Sequence, residues 1–351
     1  MNFYTRLFVK TLAPSLTRLA LAVAVTVTVG CAPRLPAVAP AGLGLEHPLV
    51  GRIWSPEHGE FISQAKFVEL LVDARIVLLG EQHHNPDHHR FQGWALQQMS
   101  ELGRRPVVVF EMIERDQQQA VDSCRSSGRC GLEELAEATS WNERGWPDWR
   151  IYAPVLDQVV RNDLVVVAGS LERSTVREVA RSGRDAIEPA LRQSLGLDRP
   201  IDPADREAMI EEIRDSHCGH APSQMLDGMV EAQRLRDAFM ASQLASAQVS
   251  TTTVLVAGNG HTREDRGVPA HLALMAPHAE VLAVAFVEVS DDVHEPAEYA
   301  AYFDSDELPF DAVWFTARMT DEDPCEQFRE QLRKMKNAAK DDQPSTAKPA
   351  P

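Results

Sequence analysis

The sequence predicts an α/β fold: a mostly parallel, mixed β-sheet covered by helices, with a helical insertion. Three observations predict it. Short runs of branched apolar residues recur at 76–79, 106–110, 164–168, 252–257 and 280–289, with stretches of helical periodicity between them. Strands that alternate with helices build parallel sheets with both faces covered. Residues 174–247 then read as helical throughout, with breaks near Gly183, Pro200 and 218–222; this is too long for one crossover, so it forms an insertion or subdomain.

The chain opens with a segment that does not belong to the globule. Arg6, Lys10 and Arg18 precede an apolar run from Leu19 to Val29, short for a bilayer span and of the length of a secretory leader. Gly30 and Cys31 end the run. Small residues followed by cysteine resemble a bacterial lipoprotein cleavage site, with residues 1–30 removed and Cys31 lipidated; an ordinary signal peptide or an uncleaved anchor is the alternative. Ala32 in place of aspartate favours the outer membrane. The expected product is an exported lipoprotein held to the membrane by its lipid. Residues 31–48, rich in Pro, Ala and Gly, read as a flexible tether. The α/β domain is expected over 49–320, and a C-terminal segment over 321–351, disordered from about 336.

Within the domain, 51–55 and 60–63 predict a small hairpin and 64–73 a helix. The strand 76–79 ends at Gly80, which predicts a sharp turn. Asn85, Pro86 and Asp87 supply helix-start residues for a helix over 88–102. His88 falls on its apolar stripe and points inward beside the strand end, a candidate cofactor contact; His89, about 100° round, faces water, as does His84. A second strand, 106–110, is followed by Glu111. Helices are predicted over 116–124, 132–138 and 152–161, separated by a loop holding Trp141, Trp146 and Trp149. Strands follow at 164–169, 252–258, 280–289 and 312–316, with a helix over 268–275.

The net charge is −17, and removal of 1–30 leaves 32 basic against 52 acidic residues, a net of −20. So acidic a surface repels nucleic acid, which excludes polynucleotide binding. An anionic ligand would need a local cluster of arginines. Four cysteines remain after Cys31, and export favours disulfides. Cys124–Cys130 closes a small polar loop and Cys218–Cys325 is its complement, with the other two connectivities open. The spacings do not suit a zinc ribbon. His217 and His220 flank Cys218 and could bind metal at i, i+3, but read first as loop polar groups beside that disulfide.

Two segments share one shape: Gly80 to His83 and Gly258 to His261, each an apolar strand, a glycine and a histidine three places on. Glu111 follows a third strand. In open α/β sheets ligands sit beyond the carboxyl ends of the strands, so these residues converge on one rim. Glu81 and His83 project from one side of an extended chain, the start of a divalent-metal site or an acid/base pair. His261 and Glu111 could complete it, with Glu81, His83 and His261 as metal ligands and Arg263 to orient a carboxylate. The bland alternative is that Glu111 accepts a backbone N–H and the histidines cap turns. There is no G-x-S-x-G elbow and no phosphate-binding glycine loop, so a hydrolase here would activate water by metal or by a Glu/His base. Met225 and Met229 suit core first and a porphyrin wall second.

The motifs at 80–89 (GEQHHNPDHH), 107–112 (VVVFEM), 145–152, 217–218, 232–241 (AQRLRDAFMA) and 258–269 (GNGHTREDRGVP) resemble the ChaN-like haem-binding uptake lipoproteins, in the superfamily that includes the Tiki proteases and erythromycin esterases. The resemblance covers roughly 50–290. It implies haem as cofactor, an iron-acquisition role, and haem held between two protomers of a homodimer. The superfamily's active-site signature maps onto Glu81, His83, Glu111 and His261, associated with metal-dependent peptide cleavage in the Tiki relatives and ester hydrolysis in the esterases. Haem ligation in the family is ascribed to tyrosine. The mature chain offers Tyr152, Tyr299 and Tyr302, and Tyr152, in the motif-bearing stretch, is the candidate.

Overall fold

A computed structural model describes residues 42–247, 251–323, 325, 326, 329, 330 and 333, all of them in one compact unit. The expectations for the leader, for Cys31 and for disorder from about 336 lie outside the described residues. β1 (Ile53–Ser55) and β2 (Glu60–Ile62) form the expected antiparallel hairpin. α1 (Gln64–Asp73) begins at Ser63, whose hydroxyl accepts the Lys66 N–H at 3.1 Å. β3 (Ile76–Glu81) leads into α2 (Pro86–Glu101), which combines an Asn85 cap with proline at its first position. β4 (Val107–Glu114), α3 (Gln118–Ser126), α4 (Leu132–Ala138), α5 (Ala153–Arg161) and β5 (Val166–Ser170) follow. The expected insertion is α6 (Arg173–Ser182), α7 (Pro189–Ser194), α8 (Pro203–Ser216) and α9 (Leu226–Ala247). The chain returns through β6 (Thr253–Gly258), the short α10 (Asn259–Thr262), α11 (Val268–Met275), β7 (Val281–Glu288) and β8 (Ala312–Thr316).

The eight strands make one sheet in the order β2-β1-β8-β7-β3-β6-β4-β5. β3 to β8 are parallel, and the hairpin adds two antiparallel strands at one edge. Alternation along each strand feeds two cores. Val77, Leu79, Val108 and Phe110 meet Phe67, Phe91, Trp94 and Leu156 on the face covered by α1, α2 and α5. Ile76, Leu78, Val109 and Leu255 meet Met240, Leu244, Val268 and Leu272 on the face covered by α9 and α11. The parallel register sets Glu81 level with Gly258, and Phe110 level with Val256. The carboxyl ends of β3, β6 and β4 therefore share one edge, which is what the site needs.

Several expectations are corrected. Gly80 makes no sharp turn; it continues β3, and its missing side chain is explained by closeness instead, since a Cβ there would stand 2.3 Å from Thr262 Oγ1 and 2.4 Å from Asn259 Oδ1. Glu111 lies inside β4, not past its end, where the β4–β5 ladder shifts register between Phe110 and Glu114. The stretch expected to tether through residue 48 joins the fold earlier: Leu43 and Arg318 exchange backbone hydrogen bonds at 2.8 and 3.1 Å. His89 does not face water. Helix α2 is covered on its second face by α5, closely enough that a Cβ on Gly93 would stand 2.5 Å from the Pro154 carbonyl oxygen, so His89 is fully buried. His84 is exposed, as expected. The disulfides Cys124–Cys130 and Cys218–Cys325 both form.

Candidate functional site

Carboxylates and imidazoles alternate across the shared strand edge. Glu81 Oε1, at the end of β3, accepts from the His83 ring at Nδ1 and from the Tyr152 hydroxyl, both at 2.8 Å. Its Oε2 stands 2.8 Å from His89 Nδ1, an ion-pair contact, while that ring nitrogen also lies 3.1 Å from Gln92 Oε1. The other ring nitrogen of His83, Nε2, lies 3.9 Å from Glu111 Oε2. That oxygen accepts the Gly258 N–H at 2.8 Å. Glu111 Oε1 accepts from the Arg236 guanidinium and lies 3.4 Å from His261 Nε2. His261 Nδ1 in turn donates to Asp237 at 2.5 Å, with Gln233 at 3.1 Å. The chain of contacts thus runs from Asp237 through His261, Glu111, His83 and Glu81 to Tyr152 and His89.

These charges are buried, so each must be paired. Burial alone would push the Glu81 carboxyl up, but His89 and His83 hold it well below the usual carboxylate range. Burial would likewise raise Glu111, and His261, Arg236 and His83 hold it low. The imidazoles respond in the opposite sense. Burial lowers His83, yet Glu111 and Glu81 leave it raised; burial lowers His261, yet Glu111 and Asp237 raise it to about 9. Burial and the Glu81 charge push the Tyr152 hydroxyl up, so it stays protonated and donates. The site is a set of ion pairs. His83, with 30% of its side chain exposed, and Arg236, with 24%, are its points of access to solvent.

A cavity of about 430 Å³ opens at these two residues. Its lining mixes the polar groups His83, Glu111, Arg236 and His261, and Glu212 and Ser216 from α8, with the apolar side chains of Val176, Met209, Ile213 and Met229. Gly258 lies among the polar groups, where a Cβ would crowd the His83 ring at 3.3 Å. His217 also borders the cavity, its Nδ1 2.8 Å from the Ile213 carbonyl, beside the Cys218–Cys325 bond.

The structure brings together Glu81, His83, Glu111 and His261 and separates the rest. Arg263 is turned away and 1% exposed; it donates to Asp265 at 2.7 and 2.8 Å and to the Phe303 carbonyl at 2.7 Å. Asp265, two residues on, captures it before it can reach the strand edge. His88 points inward but is sealed from the cavity: its Nδ1 accepts the Gln82 N–H and its Nε2 lies on Thr316, both at 2.9 Å. Burial and the neighbouring His89 push it down to about 3, so it is neutral. Tyr152 is fully buried behind Glu81. The expectation of a divalent ion held by Glu81, His83 and His261 finds no support: among the described residues no three His, Cys, Asp or Glu side chains could hold a metal ion. Glu81 and His261 sit on opposite sides of the His83–Glu111 contact, and the inward nitrogen of each imidazole is engaged by a carboxylate of its own. Trp141 and Trp149 are buried cover, whereas half-buried Trp146 meets the His83 ring edge-on at 5.0 Å.

Sequence reasoning missed Gln233, Arg236 and Asp237. Their spacing held the signal: three and four places apart on a helix, α9, they share a face.

The sequence profile of one family, described as haem-binding uptake, Tiki superfamily, ChaN, matches residues 67–272. Among curated proteins none matches this sequence. Among solved structures, ChaN of Campylobacter jejuni, described with cofacial haem binding, is similar over 75% of this chain and 95% of its own, with 20% identity and a TM-score of 0.59. A mutant of the erythromycin esterase EreC in its open conformation is similar over 78% of this chain and 99% of its own, with 13% identity and a TM-score of 0.43.

The pairing of His261 has a pH signature. Its imidazole holds a proton to about pH 9 in the fold and to about 6.5 otherwise, so the stabilisation is complete below 6.5 and is lost as pH rises through 9. At roughly 1.4 kcal/mol per pH unit this is on the order of 3 kcal/mol. The thermal midpoint of the wild type should fall over that range, and that of His261→Gln, lower at the start, should fall less steeply. Parallel declines in the two proteins would assign the loss to another group.

Proposed function

The chain belongs to the ChaN family of haem-binding uptake proteins in the Tiki superfamily, and from that premise we propose that it binds haem in the cavity beyond the ends of β3, β6 and β4. The observation that carries the proposal is the mixed lining of that cavity, apolar side chains beside imidazoles and a guanidinium. Its volume, about 430 Å³, lies in the range of cofactor sites, roughly 300–1,000 Å³. The apolar side chains of Met209, Ile213 and Met229 suit the face of a porphyrin, and Arg236 suits its carboxylates. Haem iron takes His, Met, Cys or Tyr as axial ligands. Of the imidazoles in the cluster, His83 is the most exposed, with Glu81 orienting it through Nδ1 as ligating histidines are commonly oriented. Bound haem would supply an iron centre for transport; the residues here hold, orient and shield it.

Addition of hemin to the purified protein should give a saturable Soret shift near equivalence, weakened about tenfold or more in His83→Ala. No saturable shift in the wild type removes the haem reading; an unchanged His83→Ala removes the assigned ligand. The homodimer belongs to the same proposal, with two cavities facing each other as cofacial binding would require, and sedimentation with and without hemin measures it.

One observation favours a second reading. A half-buried imidazole that is oriented by one carboxylate, with its pKa raised by Glu111 and Glu81, is the arrangement of a general acid. Turnover of a chromogenic ester or a peptide by the wild type, lost in His83→Ala, supports hydrolysis without a metal; no turnover by the wild type ends that reading.

The protein is further proposed to be an exported outer-membrane lipoprotein anchored through Cys31. Among the described residues no helix is long and apolar enough to cross a membrane. Cys31→Ser should move the protein from the membrane fraction to the soluble fraction. Retention on the membrane would point to an uncleaved leader instead.

A further inference from the structure

A second cavity, of about 240 Å³, lies beside the first and shares Glu111, Val176 and Arg236 with it. Four arginines line it: Arg144 from the tryptophan loop, Arg173 and Arg177 from α6, and Arg236 from α9. In a chain of net charge −17 such a concentration needs a reason. The two carboxylates present do not balance it. Glu114 Oε2 accepts from Arg144 at 2.8 Å and from the Arg173 backbone N–H at 3.0 Å, and Glu111 holds Arg236 and the Gly258 N–H. Arg173 Nη1 donates to the Arg144 carbonyl at 2.5 Å. Arg177 is exposed and makes no hydrogen bond or ion pair with any described residue.

Arg173 and Arg177 stand one helical turn apart, so like charges share a face of α6, which is unfavourable until an anion lies between them. Guanidinium forks match carboxylates in geometry as well as charge. Trp146, which lines this cavity, also touches the ring of His83, a residue of the first cavity. The volume admits a short acidic arm.

We propose that this arginine-lined cavity is a carboxylate subsite, taking the acidic arms of a flat ligand whose apolar body occupies the first cavity. The haem reading supplies the body, a dicarboxylic porphyrin; the carboxylate preference stands on the arginines alone.

The test compares hemin, metal-free protoporphyrin IX and its dimethyl ester on the full protein, on Arg177→Ala and on Arg181→Ala, a charge control on the same helix outside the cavity lining. Arg177→Ala should weaken hemin and protoporphyrin IX about tenfold and leave the ester unchanged, and Arg181→Ala should change nothing. Equal losses for acid and ester, or no loss, overturn the subsite. If the wild type binds no porphyrin, the haem reading fails by itself and glutarate decides. Thermal stabilisation of the wild type but not of Arg177→Ala by glutarate sustains the subsite; equal stabilisation, or none, overturns it.

Discussion

Two carboxylates with almost no exposure, Glu81 and Glu111, set the conditions for the rest of the molecule. An ionised carboxylate away from water is tolerated only if positive charge and hydrogen-bond donors surround it. Every element near the strand edge contributes to that requirement. β3 and α2 bring His83 and His89, α10 brings His261, α9 brings Arg236, and the Gly258 N–H is donated from the end of β6. The parallel register places both acids on one edge, and the helices then arrive with compensating charge. The order of the strands and the protonation states of the site are therefore one problem, solved together.

Most of the architecture was legible because it depends on short-range pattern. Branched apolar runs, the Asn85-Pro86 start of α2 and the helical period of the insertion report locally on secondary structure. What could not be read depends on a partner distant in sequence. His89 looked exposed because its own helix has one apolar stripe; only α5, reached past the tryptophan loop, buries the other face. Arg263 looked poised for the site because it lies two residues beyond His261, but Asp265 lies two further on and holds it. Glycine was ambiguous in the same way. Gly80 was expected to turn and is instead pressed against Thr262 and Asn259, a neighbour that no local window reveals.

The acidic composition suggested that anions would be repelled unless arginines were gathered locally. They are gathered. Around the strand edge, imidazoles whose protons are held by carboxylates stand next to Arg236, and Arg144, Arg173 and Arg177 continue the positive region outward. In the second cavity four arginines face two carboxylates, against the net negative charge of the whole chain. Such a contrast directs an acidic ligand to one place and leaves the remaining surface unattractive to it.

The bond between Cys218 and Cys325 joins residues 107 apart in sequence and so encloses β6, β7 and β8 in a covalent ring. Cys218 follows α8, a helix bordering the ligand cavity, while Cys325 follows the last strand. A protease that nicked the exposed backbone around 291–295 would open the ring without setting either piece adrift, and α8 would remain tethered to the severed half. For a protein expected outside the cytoplasm, damage of that kind would be survivable.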